Sequence, residues 1–288
     1  MDSSFLVSTA WLEQHLGDPN LRIVEVCNIR DDKTYRDGHI PGAQWLYWKS
    51  TCWHETDRDF VTPAAMAQLF GSMGIGPQTT VVLYGDPVQF GSYAYWAFTM
   101  AGHAKLKLLD GGRRKWVIEK RPLSQDVPRF AAVPYPPPPA GPTSMRIGRD
   151  NVREHLREPQ RLLLDLRSPE EYSGERVSDY SFAVDHGAER TGRIPGAVHI
   201  YFKELLNEDD SFKSPEQLRA VLAKAGVKPE NFDDIVCYCR LSHRATIAWL
   251  ALGSILGLGN VKLYDGSWTE WGSIVGYPIE KQRVSFCA

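Results

Sequence analysis

The chain has 288 residues, 43% hydrophobic and 24% charged, with 33 Lys and Arg against 35 Asp and Glu for a net charge of -2. This is globular usage, which excludes collagen-like and wholly disordered classes, and the length suits two domains that each bury a core. The charge balance argues against a broad nucleic-acid footprint and leaves room for a local basic pocket.

The N-terminal stretch MDSSFLVSTAWLEQHL lacks a basic start followed by an apolar core, so no secretion signal is expected. Ser8 or Thr9 caps a helix over Ala10–Leu16. A first strand follows at Arg22–Val26, a turn at His39-Ile40-Pro41-Gly42-Ala43, a strand at Val81–Tyr84, and Leu109-Asp110-Gly111-Gly112 ahead of Trp116. Eight prolines then fall between Pro122 and Pro142, four of them consecutive, which favours an extended, semi-rigid linker.

Beyond the prolines the pattern repeats. Leu162–Leu166 echoes the first strand, Arg193-Ile194-Pro195-Gly196-Ala197 echoes the turn 154 residues on, Ile235–Tyr238 echoes Val81–Tyr84 at the same offset, and Tyr264-Asp265-Gly266-Ser267 with Trp271 echoes the last motif at 155. The last three, in one order and at one offset to within a residue, indicate internal duplication, while the first strand matches at an offset of 140. The second half carries about 14 extra residues within Ser173–Thr191, read as an added surface loop. Ser214-Pro215-Glu216-Gln217 opens a helix with an N-cap, a first-position proline and a capping-box glutamine. A second helix runs over Thr246–Leu252. The uncharged stretch between Arg244 and Lys262 is 17 residues long and holds three glycines, too short to span a bilayer. Strands alternating with helices imply an α/β fold of two tandem domains, each a mostly parallel sheet flanked by helices. The expected division is 1–121, a linker at 122–145, and 146–288.

Five cysteines, at 27, 52, 237, 239 and 287, form no paired framework and point to a reducing, cytoplasmic setting. Cys239 follows the strand Ile235–Tyr238 and precedes a helix that starts near Arg244. Ligands bind at the carboxyl ends of strands in open α/β sheets, and fixed positive charge at Arg240 and Arg244 favours an anion there, including the nucleophilic thiolate. Cys237 reads as a core cysteine; resolving a disulfide, or a Cys-x-Cys metal pair, is the other reading, although no second pair is present to close a zinc site. No metal and no cofactor is expected.

The tandem repeat, the two Ile-Pro-Gly-Ala turns, the Asp-Gly-Ser-Trp-Thr-Glu-Trp stretch at 265–271 and the Cys-Arg-x-x-x-Arg loop resemble the two-domain rhodaneses, the thiosulfate sulfurtransferases, from about Leu6 to Glu280. The likeness is to the bacterial branch whose loop reads Cys-Arg-Ile-Gly-Glu-Arg. It implies that Cys239 takes the outer sulfur of thiosulfate as a persulfide and passes it to cyanide or a thiol. Arg240, Leu241, Ser242, His243 and Arg244 would bind the donor. The first half would be an inactive copy, since Gly85-Asp86-Pro87-Val88-Gln89-Phe90 has no cysteine. Mercaptopyruvate sulfurtransferases of similar fold carry an uncharged loop, so the arginines favour thiosulfate. Rhodanese-like phosphatases place their arginine after five intervening residues rather than the four found here.

Departures from the branch leave several points open. Ser242 replaces the loop glycine, which would suit a positive φ. His243 replaces a glutamate, as an anion donor, a thiolate tuner or a solvent-exposed side chain. Glu171 stands where vertebrate members have a substrate arginine before Tyr172, with Arg193 the candidate to compensate; Asn28 stands in place of a tryptophan. Asp165 is a candidate hydrogen-bond partner of the loop. Asp110 and Asp265 read as structural, and Trp45, Trp48, Trp268 and Trp271 mainly as core. Beside the enzyme stand a non-catalytic anion-binding module, a 3-mercaptopyruvate enzyme, and a carrier delivering persulfide to a protein. The expected partners are thus a small sulfur donor and a thiophilic acceptor, protein or small molecule, with no nucleic acid and no membrane.

Overall fold

A computed structural model describes residues 5–156, 158–181 and 183–282; Cys287 lies outside them. The chain divides into two compact units, residues 1–143 with 207–212, and residues 144–206 with 213–288.

The first unit is built on β1 (Leu6–Val7), β2 (Leu21–Cys27), β3 (Ala43–Tyr47), β4 (Thr80–Asp86) and β5 (Leu106–Leu109), all parallel, in the order β1-β5-β4-β2-β3. The second repeats this with β6 (Arg146–Ile147), β7 (Arg161–Asp165), β8 (Val198–His199), β9 (Asp234–Tyr238) and β10 (Val261–Tyr264), in the order β6-β10-β9-β7-β8. The central strands read as near-continuous apolar runs because helices cover both faces of a parallel sheet. Ile235, Val236, Cys237 and Tyr238 of β9 are all fully buried. Leu12, Ile23, Val82 and Trp116 lie in the first core, and Leu163, Val236, Trp268 and Trp271 in the second. Among the described residues no helix is long and apolar enough to cross a membrane.

The repeated motifs mark repeated geometry. In each Ile-Pro-Gly-Ala turn the alanine N–H donates to the isoleucine carbonyl, at 2.9 Å in the first copy and 3.1 Å in the second. The glycines have φ of 78° at Gly42 and 77° at Gly196, the type II position that glycine fills without strain. Trp116 and Trp271 donate their indole N–H to Pro122 and Pro278 carbonyls, both at 2.8 Å. The capping box at Ser214 and Gln217 forms as the sequence implies.

The proline-rich segment differs from expectation. Through residue 143 it belongs to the packing of the first unit. Prolines donate no backbone hydrogen bond, so the residues between them make the attachments. Ser124 pairs with His39, the Val133 N–H donates to the Gly71 carbonyl at 3.0 Å, and the Gly141 N–H to the Met100 carbonyl at 2.8 Å. Arg22 lies over the Phe130 ring at 3.9 Å. His103 joins the same seam. A carbonyl can only accept, so Nε2–H donates to the Thr79 carbonyl at 3.2 Å and Nδ1 accepts from the Tyr135 hydroxyl at 2.5 Å.

Burial holds His103 down to about 4. Its folded value lies below the unfolded one, so the unfolded chain takes up the proton first. Stability should therefore fall by up to about 3 kcal/mol as pH drops from about 6.5 to about 4. Denaturation midpoints of wild type and His103→Gln across that window check this. The variant should show the shallower pH dependence, and identical slopes would contradict the assignment.

Candidate active site

Pairing with β7 on one side and β10 on the other places β9 inside its sheet, so Cys239 stands at the carboxyl edge between two neighbouring strands. The loop after it is clamped from outside by residues 265–269. The Cys239 N–H donates to the Ser267 hydroxyl at 3.2 Å, and its carbonyl accepts the Trp268 N–H at 2.9 Å. The Arg240 carbonyl accepts from the Thr269 N–H at 3.1 Å and from its hydroxyl at 2.8 Å. The Asp-Gly-Ser-Trp stretch, whose Asp-Gly alone recurs in the first unit, thus serves the loop through Ser267, whose role the sequence alone does not reveal.

Ser242 adopts φ 67°, the left-handed conformation that its replacement of glycine raised as a question. Its buried hydroxyl donates to the Asp265 carbonyl at 2.7 Å, a tertiary bond that holds the loop in this conformation against its cost for a non-glycine residue. Ser267 is a second such case at φ 53°, where the first unit has Gly112 at 52°. Leu241 is half-buried, and its carbonyl accepts the His243 N–H at 3.0 Å. His243 begins helix His243–Trp249 and is 8% exposed, so the solvent-exposed reading of this side chain does not hold. That helix continues into a π-helical turn at Leu250–Ile255, which the sequence periodicity does not reveal.

Arg244 departs most from expectation. Its guanidinium grips Glu171 in a two-pronged pair, Nη1 to Oε2 at 2.6 Å and Nη2 to Oε1 at 2.8 Å, with Asp179 at 3.6 Å from Nη1. Glu171 belongs to helix Pro169–Ser173 and also accepts the Ser168 N–H and hydroxyl, both at 3.0 Å, in a capping box. Burial pushes its carboxyl up, but the Arg244 charge and hydrogen bonds outweigh this and hold it below the ordinary glutamate value. Burial lowers Arg244, and Glu171 reverses the shift to a net rise. Arg240 is instead half-buried, with the backbone of Gly187 close by: a Cβ at Gly187 would lie 3.3 Å from the arginine Cδ. The extra loop around 173–191 therefore reaches both arginines, through Gly187 and Asp179. It is anchored by Arg190, which donates to the backbone carbonyls of Trp271, Gly272, Ile274 and Tyr277.

The two remaining expectations are also corrected. The Asp165 carboxylate is taken up by Arg167, through Nη2 at 2.6 Å, and by the Tyr238 hydroxyl at 2.7 Å, so it acts on the strand behind Cys239 rather than on the loop. The Tyr238 oxygen in turn accepts the Ile194 N–H at 3.2 Å. The first unit has the same relay, with the Tyr84 hydroxyl donating to Glu25 and accepting from Ile40, so this arrangement belongs to the scaffold. Arg193 lies over Tyr172 at 4.6 Å and pairs with Glu280 at 3.4 Å, occupied by its own turn.

The first unit has no space for a thiol at the matching loop. A Cβ at Gly85 would stand 2.4 Å from the Gly91 nitrogen. The four described cysteines are free thiols, and burial pushes Cys27, Cys52 and Cys237 up, which disfavours their thiolates. No group of three or more His, Cys, Asp or Glu suited to a metal ion occurs among the described residues.

Two duplicated parallel sheets with a cysteine loop at the carboxyl edge of one define a tandem α/β protein. The rhodanese-like domain profile matches residues 8–119 and 149–274, and the chain belongs to that family. It is 44% identical over 282 residues to the "Sulfur carrier protein TtuD" of Thermus thermophilus, covering 96% of each chain. It is 41% identical over 279 residues to a "Putative thiosulfate sulfurtransferase" of Saccharopolyspora erythraea, again covering 96% of each. In fold it is similar to the anaerobic ergothioneine biosynthesis enzyme of Chlorobium limicola, with a TM-score of 0.81 and 24% identity over 96% of this chain and 70% of that one.

Proposed function

We propose that this protein is a thiosulfate sulfurtransferase that carries sulfur as a persulfide on Cys239. The observation that carries the reading is the loop itself. A cysteine follows the central strand, the charges of Arg240 and Arg244 act on it, and the matching loop of the first unit has neither a cysteine nor room for one at Gly85.

The Cys239 thiolate attacks the outer sulfur of thiosulfate. A Cys–S bond forms, the S–S bond of the donor breaks, and its electron pair leaves with sulfite. The persulfide anion then gives its terminal sulfur to cyanide, yielding thiocyanate and restoring the thiolate. A thiolate acceptor takes the sulfur in the same way, becoming a persulfide itself. No redox partner is needed in either half. A relative named as a sulfur carrier supports a second acceptor class, a protein thiol or other protein nucleophile. Free thiols at all four described cysteines support a reducing, cytoplasmic setting. The first unit serves as an inactive copy without the loop cysteine, and residues 122–145 join the two.

With Arg244 engaged by Glu171, Arg240 is the residue assigned to the donor's sulfonate end. A charge-assisted hydrogen bond contributes about 1.5–3 kcal/mol. Arg240→Ala should therefore lower kcat/KM for thiosulfate by about 10- to 100-fold, and less for the singly charged 3-mercaptopyruvate. Steady-state kinetics with both donors tests the reading. A wild-type preference for mercaptopyruvate, or full thiosulfate activity in Arg240→Ala, would contradict it.

A further inference from the structure

We propose that Glu171 is a specificity-determining residue that neutralises Arg244 and so limits the site's hold on doubly charged anions, both the donor and the sulfite it releases. The inference rests on the sulfur-transfer reading above and deepens it.

The duplication supplies an internal control. Features needed only by the fold recur in both units, as the carboxylate–tyrosine–isoleucine relay does. The Glu171–Arg244 pair does not recur. Phe90 stands at the position of Arg244, and Thr34 at that of Glu171, because Tyr35 and Tyr172, the next residues, both donate their hydroxyls to the alanine carbonyl of the Ile-Pro-Gly-Ala turn, at 2.7 Å and 2.8 Å. The pair exists in the unit with the cysteine and is absent from the one without it. A helix of the length of Pro169–Ser173 does not require a buried arginine partner either, because the capping box already engages Glu171 through Ser168.

The chemistry follows from charge. A guanidinium held two-pronged by a fully buried carboxylate contributes little net charge, and Asp179 beside it adds a second negative group. Arg240 and Arg244 act on Cys239 from its own loop, Glu171 and Asp179 lie against Arg244, and Cys237 stands behind on β9. Thiosulfate and sulfite are both dianions. With Arg244 uncompensated, the site would bind both more tightly and release sulfite more slowly. With Glu171 in place, Arg244 stays committed to the protein and its charge adds little to the hold on the anion. In sequence, Glu171 reads as a missing cation; in the structure it is a counter-charge.

The test is steady-state kinetics on the full chain with Glu171→Gln, which keeps the side chain's shape and one hydrogen-bond acceptor. The KM for thiosulfate and the inhibition constant for sulfite should both fall by about five- to tenfold, kcat should not rise, and the KM for 3-mercaptopyruvate should move less. Asp179→Asn, at a partly exposed position, should shift the same two constants in the same direction by a smaller factor, and it decides the matter if Glu171→Gln does not fold. Equal shifts for both donors, or a fall in kcat with both constants unchanged, would overturn the inference and leave Glu171 a scaffold residue. Wild type that turns over thiosulfate while the variants keep its donor discrimination overturns this inference alone. Wild type inactive with thiosulfate overturns the sulfur-transfer reading and this inference with it.

Discussion

Replacing Cys239 with serine should reduce thiosulfate:cyanide turnover by at least about 10³-fold, as expected when the group that forms the covalent intermediate is lost. The fold should survive. The Cys239 backbone, not its side chain, makes the bonds to Ser267 and Trp268, and serine is close to cysteine in shape. Cys237→Ser is the matching control. That thiol lies fully inside β9 and burial pushes it up, so its replacement should affect stability and leave turnover within a few-fold of wild type. The reverse pattern would assign the chemistry to Cys237.

The second large effect is on stability. Arg244→Ala removes one partner of a buried ion pair and leaves Glu171, with no exposed surface, as an uncompensated charge. The cost should be about 3–5 kcal/mol, read as a lowered denaturation midpoint. The pair's own net contribution is much smaller, because both charges had to be desolvated. The combined variant Glu171→Gln with Arg244→Met should therefore recover most of the loss, since neither charge then remains buried. Recovery without a return of turnover would separate the arginine's structural role from its chemical one. A single Arg244→Ala variant as stable as wild type would contradict the pairing. The pH dependence has a definite sign. Glu171 is held below the ordinary glutamate value, so its contribution is present above about pH 4.5 and is lost as pH falls further.

Sequence reasoning reached the architecture because duplication is visible without any contact information. A turn, a strand and an Asp-Gly motif that each recur 154 or 155 residues on imply two like sheets, and the strand orders agree position for position. Local rules held where local physics decides: the Ser8 and Ser214 caps, the glycine of each type II turn, and the cysteine at the end of an apolar strand. What was not legible depends on pairs distant in sequence. Glu171 and Arg244 are 73 residues apart, and no periodicity announces that a glutamate beside Tyr172 will reach the loop. Ser168-Pro169-Glu170-Glu171 does announce a capping box, and that signal could have marked Glu171 as a helix-start residue rather than a vacant cation position. The packing of the proline segment is not legible for a similar reason. Its composition speaks of stiffness, while its attachment depends on Ser124, Val133 and Gly141 meeting carbonyls elsewhere in the first unit.

The central claim is that Cys239 is the sulfur carrier, and intact-mass measurement tests it most directly. After treatment with thiosulfate and removal of excess donor, the wild-type chain should gain one sulfur atom, about 32 Da. Cyanide should remove that increment, and Cys239→Ser should never acquire it. A sulfur adduct of the same mass and cyanide sensitivity on the Cys239→Ser chain would contradict the account.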